Sequence, residues 1–254
     1  TQYGRRPWKK TGNEDLDSFL AKKNLLPENV DKLRITMEEV ATCKQQVRYR
    51  ATEQHRNATR VDGALIVEHV REALLHPASI GTYDLILLLL AASGRRTVEL
   101  LNGRSTFAPS EKGASWTLFS GQAKVRVAVS SYDIPLLVPY DVFAAGVQEL
   151  RRRQPGDIAS WSSERVSRRY QSGIGKHLER DPILSVAATP HKLRGIYVWL
   201  VFHLFDWADN YVTYVAYKVL GHADIGESHP YVPFLVSWSH TLSSASPCSD
   251  KSRA

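Results

Sequence analysis

The stretch Tyr83-Asp84-Leu85-Ile86-Leu87-Leu88-Leu89-Leu90-Ala91-Ala92 constrains this chain more than any other. Apart from its first two residues it is apolar on every side, so a helix here has no face to give to water and belongs inside a domain. Its aliphatic part, Leu85 to Ala92, falls well short of the ~20 residues that cross a bilayer, and no membrane partner is expected. The flanking segments read as helices too. Val61 to Leu75 carries Leu65, Ile66, Val70 and Leu74 at helical spacing and stops at Pro77. Val142 to Arg153, Ser162 to Leu178, His191 to Trp207 and Tyr211 to Leu220 follow, the last capped near Asn210 and ended by Gly221. A short helical turn is expected over Arg96 to Leu101.

Between Gly103 and Val138 the pattern changes. Trp116 to Phe119, Val125 to Val129 and Ile134 to Val138 favour strands, with Ser120-Gly121 as a turn. The expected fold is therefore mainly α with a small antiparallel β-sheet. Residues 1–60 read as a basic N-terminal arm and helical linker: a flexible start, a short helix over Leu16 to Lys23, and a polar helix or helix pair from about Glu28 to Arg60. Residues 61–240 read as the catalytic body and 241–254 as a flexible Ser-rich tail. A chain that opens on Thr1, with Met37 as its only methionine, is expected to be part of a longer one.

Charge narrows the partner. Among 254 residues, 33 Lys and Arg oppose 26 Asp and Glu, a net charge of +7 that suits a polyanion such as nucleic acid. Two segments concentrate it. Ala41 to Arg60 holds Lys44, Arg48, Arg50, Arg56 and Arg60 against Glu53 alone, and Arg151 to Arg180 holds eight basic residues against three acidic ones. Arg48, Arg50, Arg56, Arg60, Arg165, Arg168 and Arg169 are the candidate DNA contacts, with a solvated helix face as the plainer alternative. The two cysteines, Cys43 and Cys248, form neither a disulfide framework nor a metal spacing, so a reducing, cytoplasmic setting is expected.

Four short stretches carry chemistry when read together. They are Gly94-Arg95-Arg96-Thr97-Val98-Glu99-Leu100, then Phe119-Ser120-Gly121-Gln122-Ala123-Lys124, then His191-Lys192-Leu193-Arg194, and Leu220-Gly221-His222 with Tyr231 nine residues on. In this order they resemble the signature of the tyrosine recombinases: an arginine, a hairpin lysine, His-x-x-Arg, a second histidine and a tyrosine. The resemblance covers roughly Val61 to Trp238. It implies a tyrosine-recombinase-like catalytic domain, preceded here by part of a helical DNA-binding arm.

The residue types fit the chemistry. Two guanidiniums, Arg96 and Arg194, match the non-bridging oxygens of a phosphodiester under attack and stay charged. Arg95 is the neighbouring alternative, but the Arg-x-x-Glu spacing favours Arg96, with Glu99 orienting it or a histidine. Tyr231, with an ordinary pKa of about 10, needs a proton acceptor or a strongly cationic site; His191 or His222 supplies one. Lys124 is the candidate general acid for the leaving 5′-oxygen, and no metal or cofactor is called for. Each residue has a plainer reading. Arg96 pairs with Glu99 on a surface, Lys124 is a solvated turn residue, His191 caps its helix, His222 sits at a helix end, Tyr231 is a core aromatic. His177, His203 and His229 are read as structural.

Within the superfamily the likeness is greatest to the telomere resolvases, or protelomerases. The Phe-Ser-Gly-Gln-Ala-Lys run, Tyr132 to Val138, the doubled Arg95-Arg96 and the 28 residues from Arg194 to His222 carry it. His191 departs, since some resolvases have lysine there, and Lys192 next door is a substitute. The resemblance implies cleavage of a palindromic double-stranded DNA through 3′-phosphotyrosine links by a dimer or higher oligomer, followed by resealing as hairpin ends. A phage or mobile-element integrase is the nearest alternative. A type IB topoisomerase or a silent DNA-binding protein is more distant.

Overall fold

The computed structural model describes residues 41–42, 45–46, 58–123, 131–205, 207, 210–222 and 234–238. The chain divides into two compact units, Thr1–Glu53 and Gln54–Ala254. In the first, 41–42 and 45–46 are helical. The expected Leu16–Lys23 helix, most of the Glu28–Arg60 helix, the Val125–Val129 strand and the tail lie outside the described residues.

The second unit opens with β1 (Thr59–Asp62), which pairs in parallel with β5 (Phe234–Ser237), Thr59 opposite Phe234. This corrects two expectations: Arg60 and Val61 are strand, not helix, and the chain has a parallel ribbon as well as an antiparallel sheet. Asp62 ends the strand because its carboxylate accepts from the Leu65 N–H at 3.2 Å and starts α1 (Gly63–Leu74). That helix buries Ile66, Val67, Val70 and Leu74.

Helix α2 (Thr82–Ser93) is the apolar segment, buried along Leu85–Ser93, with α1 and three later helices packed around it. Gly94 closes it in the left-handed conformation. A short α3 (Thr97–Leu101) follows, one residue later than expected. The antiparallel sheet has the order β2 (Thr106–Pro109), β3 (Trp116–Ser120), β4 (Ser131–Pro135). β2 was not anticipated. The third strand is three residues earlier than read, because at Leu136–Val138 the chain leaves the sheet. The Leu137 N–H there bonds the Ala92 carbonyl at 2.9 Å, tying the segment to the end of α2.

Helices α4 (Tyr140–Arg152), α5 (Ser163–Arg180), α6 (Pro190–Leu204) and α7 (Val212–Leu220) complete the unit. α5 buries Val166, Tyr170, Ile174 and Leu178, four residues apart, and leaves Arg165, Arg168 and Arg169 exposed on the other side. Thr189, not His191, caps α6, and the helix ends at Leu204 rather than Trp207. Tyr211 precedes α7 without a side-chain cap, and Gly221 ends it at φ 64°. No helix among the described residues is long and apolar enough to cross a membrane.

Candidate active site

Helix ends and one sheet edge bring the sequence-read residues together. Gly94 turns the chain out of α2 with φ 61°, and a Cβ there would run into the Tyr197 ring, so only glycine allows the next two arginines to start α3. Arg96 is the N-cap of α3, and Glu99 reaches back to it. The Glu99 carboxylate accepts from the Arg96 N–H at 2.9 Å and from Arg96 Nη1 at 3.0 Å. It also accepts from the Ala123 N–H at 3.1 Å, which ties α3 to the residue preceding Lys124. Arg151 of α4 fixes the far end of α3 by donating to the Leu100 carbonyl at 2.9 Å and the Ser105 carbonyl at 2.8 Å.

The two candidate arginines of the first stretch are used differently. Arg95 is wholly buried. Its Nη1 donates to the Tyr132 hydroxyl at 2.8 Å, its Nη2 to the Val219 carbonyl and its Nε to the Ser93 carbonyl at 3.3 Å. The guanidinium also lies 4.7 Å from the Phe119 ring centre. Arg96 keeps 26% of its side chain open to solvent beside Glu99. The Arg96–Glu99 pair is an ion pair that leaves the arginine partly open to solvent while the carboxylate is buried.

Arg194 sits in the first turns of α6, 2% exposed, and its Nη1 donates to the Gly94 carbonyl at 2.5 Å. His222 follows Gly221, its N–H bonded to the Tyr217 carbonyl at 3.2 Å. Burial first, then the positive charges of Arg194, Arg96, Arg95 and His191, push its imidazole down to about 4. The Glu99 carboxyl is held below its ordinary value. Burial alone would raise it, and the guanidiniums of Arg95, Arg194 and Arg96 outweigh that. These interactions gather Arg96, Glu99, Arg194, His191 and His222 into one cationic cluster. Lys192 is exposed at the start of α6, with its N–H bonded to Thr189.

Lys124 and Tyr231 lie outside the described residues, as do Arg48, Arg50, Arg56 and His229. Their flanks are described: Ala123 bonds Glu99, and Phe234 begins β5. Arg60 is exposed on β1. On α5, Arg165 stacks 4.0 Å from the Trp161 ring centre. His177 bonds Asp84 at 2.7 Å, and His203 packs against Trp199, where partial burial lowers its pKa. Sequence reasoning missed Arg151, which belongs to no motif, and assigned no role to Gln122 or Tyr132, although both lie in stretches that carry the resemblance.

The electrostatics of His222 make a direct prediction. In the DNA-free protein its imidazole should titrate near pH 4 rather than 6.5, followed by NMR of the ring protons. Since the folded value is depressed, the stability that His222 contributes is complete above pH 6.5 and is lost as pH falls toward 4. A midpoint at or above 6.5 would contradict the clustering of Arg194, Arg96 and Arg95 around it.

Two of three comparisons with known proteins find relatives. The family model for the telomere resolvase ResT/TelK catalytic domain matches residues 57–234. Among solved structures, an alanine variant of protelomerase TelA covalently complexed with substrate DNA aligns with a TM-score of 0.67 and 17% identity, over 89% of this chain and 78% of that one. A TelA variant with a DNA hairpin product gives the same score and coverage at 17% identity. Protelomerase TelK complexed with substrate DNA aligns with a TM-score of 0.65 and 20% identity, over 87% of this chain and 46% of that one. No curated protein sequence matches the chain. With 57–234 covered by the family model and the arginine, glutamate and histidine cluster built within that span, the chain belongs to the telomere resolvases, DNA cleaving-rejoining enzymes of the tyrosine-recombinase type.

Proposed function

We propose that the enzyme resolves a palindromic telomere junction into two hairpin ends by the following division of labour. Tyr231 Oη attacks the scissile phosphorus, a P–Oη bond forms, and the bond to the 5′-oxygen breaks. His222, neutral at physiological pH by its depressed pKa, accepts the Tyr231 proton. Arg96 and Arg194 bind the non-bridging oxygens, whose negative charge grows in the transition state. His191, exposed at the start of α6, donates to the same phosphate. Lys124 gives its proton to the departing 5′-oxygen. In the second step a 5′-hydroxyl from the folded-back strand attacks the phosphotyrosine and Tyr231 leaves, so bond energy is conserved and neither nucleotide cofactor nor metal is required.

The observation that supports this reading is that Arg96 and Arg194 act on the buried Glu99 while the same two guanidiniums act on His222. Residues 61–240 are the catalytic body, and residues 1–60 with the Arg165, Arg168 and Arg169 stripe of α5 track the phosphate backbone. A palindrome cut on both strands needs two tyrosines, which makes a dimer the minimal assembly on DNA. The structures of TelA and TelK with substrate DNA support duplex DNA as the partner.

The test is incubation with a supercoiled plasmid carrying the palindrome of its own replicon, with chelator present. Linear DNA whose strands snap back after denaturation is the expected product. Recombined circles instead would make the chain an integrase in activity.

A further inference from the structure

The geometry points to a relay, Arg95–Tyr132–Gln122, that ties the backbone at Gln122 and Ala123, which leads into Lys124, to the His222 turn. It rests on the proposed roles of Lys124 and His222. Gln122 stands two residues before Lys124, and its Nε2 donates to the Gly221 carbonyl at 2.7 Å, immediately before His222. Its Oε1 accepts from the Tyr132 hydroxyl at 3.1 Å. That hydroxyl in turn accepts from Arg95 Nη1 at 2.8 Å, while Arg95 Nη2 bonds the Val219 carbonyl in the last turn of α7.

The direction of each bond is forced by chemistry. A guanidinium can only donate, so the phenol oxygen accepts from Arg95 and must direct its own proton to Gln122. The carboxamide then has one orientation: oxygen toward Tyr132, nitrogen toward Gly221. A reversed amide would set N–H against O–H and carbonyl against carbonyl. Arg95 thus acts as the fixed end of a chain of donors that ends on the backbone beside His222. The relay also explains the glycine. At φ 64° a side chain on residue 221 is strained, and its Cβ would overlap the Tyr132 hydroxyl and Gln122 Oε1.

Tyr132 and Gln122 touch no substrate in this account. They are positioning residues, and their loss should read as a misplaced proton donor. The experiment compares single-turnover cleavage of the telomere duplex with that of the same duplex bearing a 5′-bridging phosphorothiolate. Its thiolate leaving group needs no general acid. Tyr132→Phe, which keeps the ring on Phe119 and Arg95, should slow cleavage of the normal substrate tenfold or more. The thiolate substrate should recover most of that loss, with duplex affinity changed less than twofold. Gln122→Ala, at a half-buried position, should behave alike and stands in for Tyr132→Phe should the latter not fold by thermal melting.

Equal slowing on both substrates, or no slowing by either variant, overturns the relay. Lys124→Ala is run beside them. If it is rescued and the relay variants are not, the relay alone fails. If Lys124→Ala is not rescued, the assignment of Lys124 falls, and the relay's purpose with it.

Discussion

Tyr231→Phe should form no covalent protein–DNA complex, and Arg194→Ala should form it roughly 10²–10³-fold more slowly, with both proteins still binding the telomere duplex. The two losses have different causes. Phenylalanine keeps the ring and removes the only atom that bonds phosphorus, so no intermediate exists to be trapped. Arg194→Ala keeps the nucleophile but removes charge from the place where the phosphorane's oxygens gain it. Binding should survive because the proposed phosphate contacts are many, and one of them is a small part of the total. Arg194 also has a structural side: it is 2% exposed and bonds the Gly94 carbonyl, so its removal leaves a cavity and a carbonyl without that donor. Rates are therefore compared well below each variant's melting temperature. Arg194→Lys, which keeps the charge and loses the planar fork, should fall between. Cleavage by folded Arg194→Ala within tenfold of the unaltered protein would remove Arg194 from the phosphate clamp. Covalent complex from Tyr231→Phe would move the nucleophile elsewhere.

Local signals in the sequence were enough for the helices that build the site. The all-apolar α2, the four-residue spacing of Val166, Tyr170, Ile174 and Leu178, and the Pro190 start of α6 are each written within a few turns. The pairing of Arg96 with Glu99 was legible as well, from the three-residue step between them alone. Arg95, by contrast, is held by buried bonds to Tyr132 and Val219. What was not legible depends on partners distant in sequence. β1 and β5 are four residues each and meet across almost the whole unit, with Ser237 Oγ donating to the Val61 carbonyl at 3.3 Å, so Val61 read naturally into the adjoining helix. β2 ends in Pro109 and has little strand propensity of its own; it exists because Thr117 and Phe119 of β3 give it a ladder. Arg151 looks like a surface residue in a window of any length, and the run that contains Tyr132 carries a family resemblance without giving that tyrosine a role. Their roles appear only when the carbonyls of α3 and the guanidinium of Arg95 are brought to them.

The second large effect concerns Glu99, whose carboxylate is fully buried among three guanidiniums. Glu99→Ala should lower stability by about 3–5 kcal/mol, since removing one partner of a buried ionic cluster leaves the opposite charges uncompensated. For a catalytic unit of this size that is a fall of roughly 6–20 °C in melting temperature. The Arg96 and Ala123 N–H groups also lose their acceptor, so α3 and the approach to Lys124 loosen together and cleavage should fail before the protein unfolds. Glu99→Gln separates charge from shape. It keeps one acceptor oxygen but sets an amide N–H₂ against donors, and should cost less than alanine. The pH dependence identifies the charge. Because the folded carboxyl titrates below its ordinary value of 4.5, its contribution is complete above about pH 4.5 and lost as pH falls through the folded value. The gap in stability between the unaltered protein and Glu99→Gln should therefore be constant from neutral pH down to about 5 and close below it. His222 loses its own contribution between pH 6.5 and about 4 in both proteins, so that decline largely cancels in the difference. A gap that widens as pH falls toward 4.5 from above would mean that Glu99 is protonated in the folded protein, and the three arginines would then need another counter-charge.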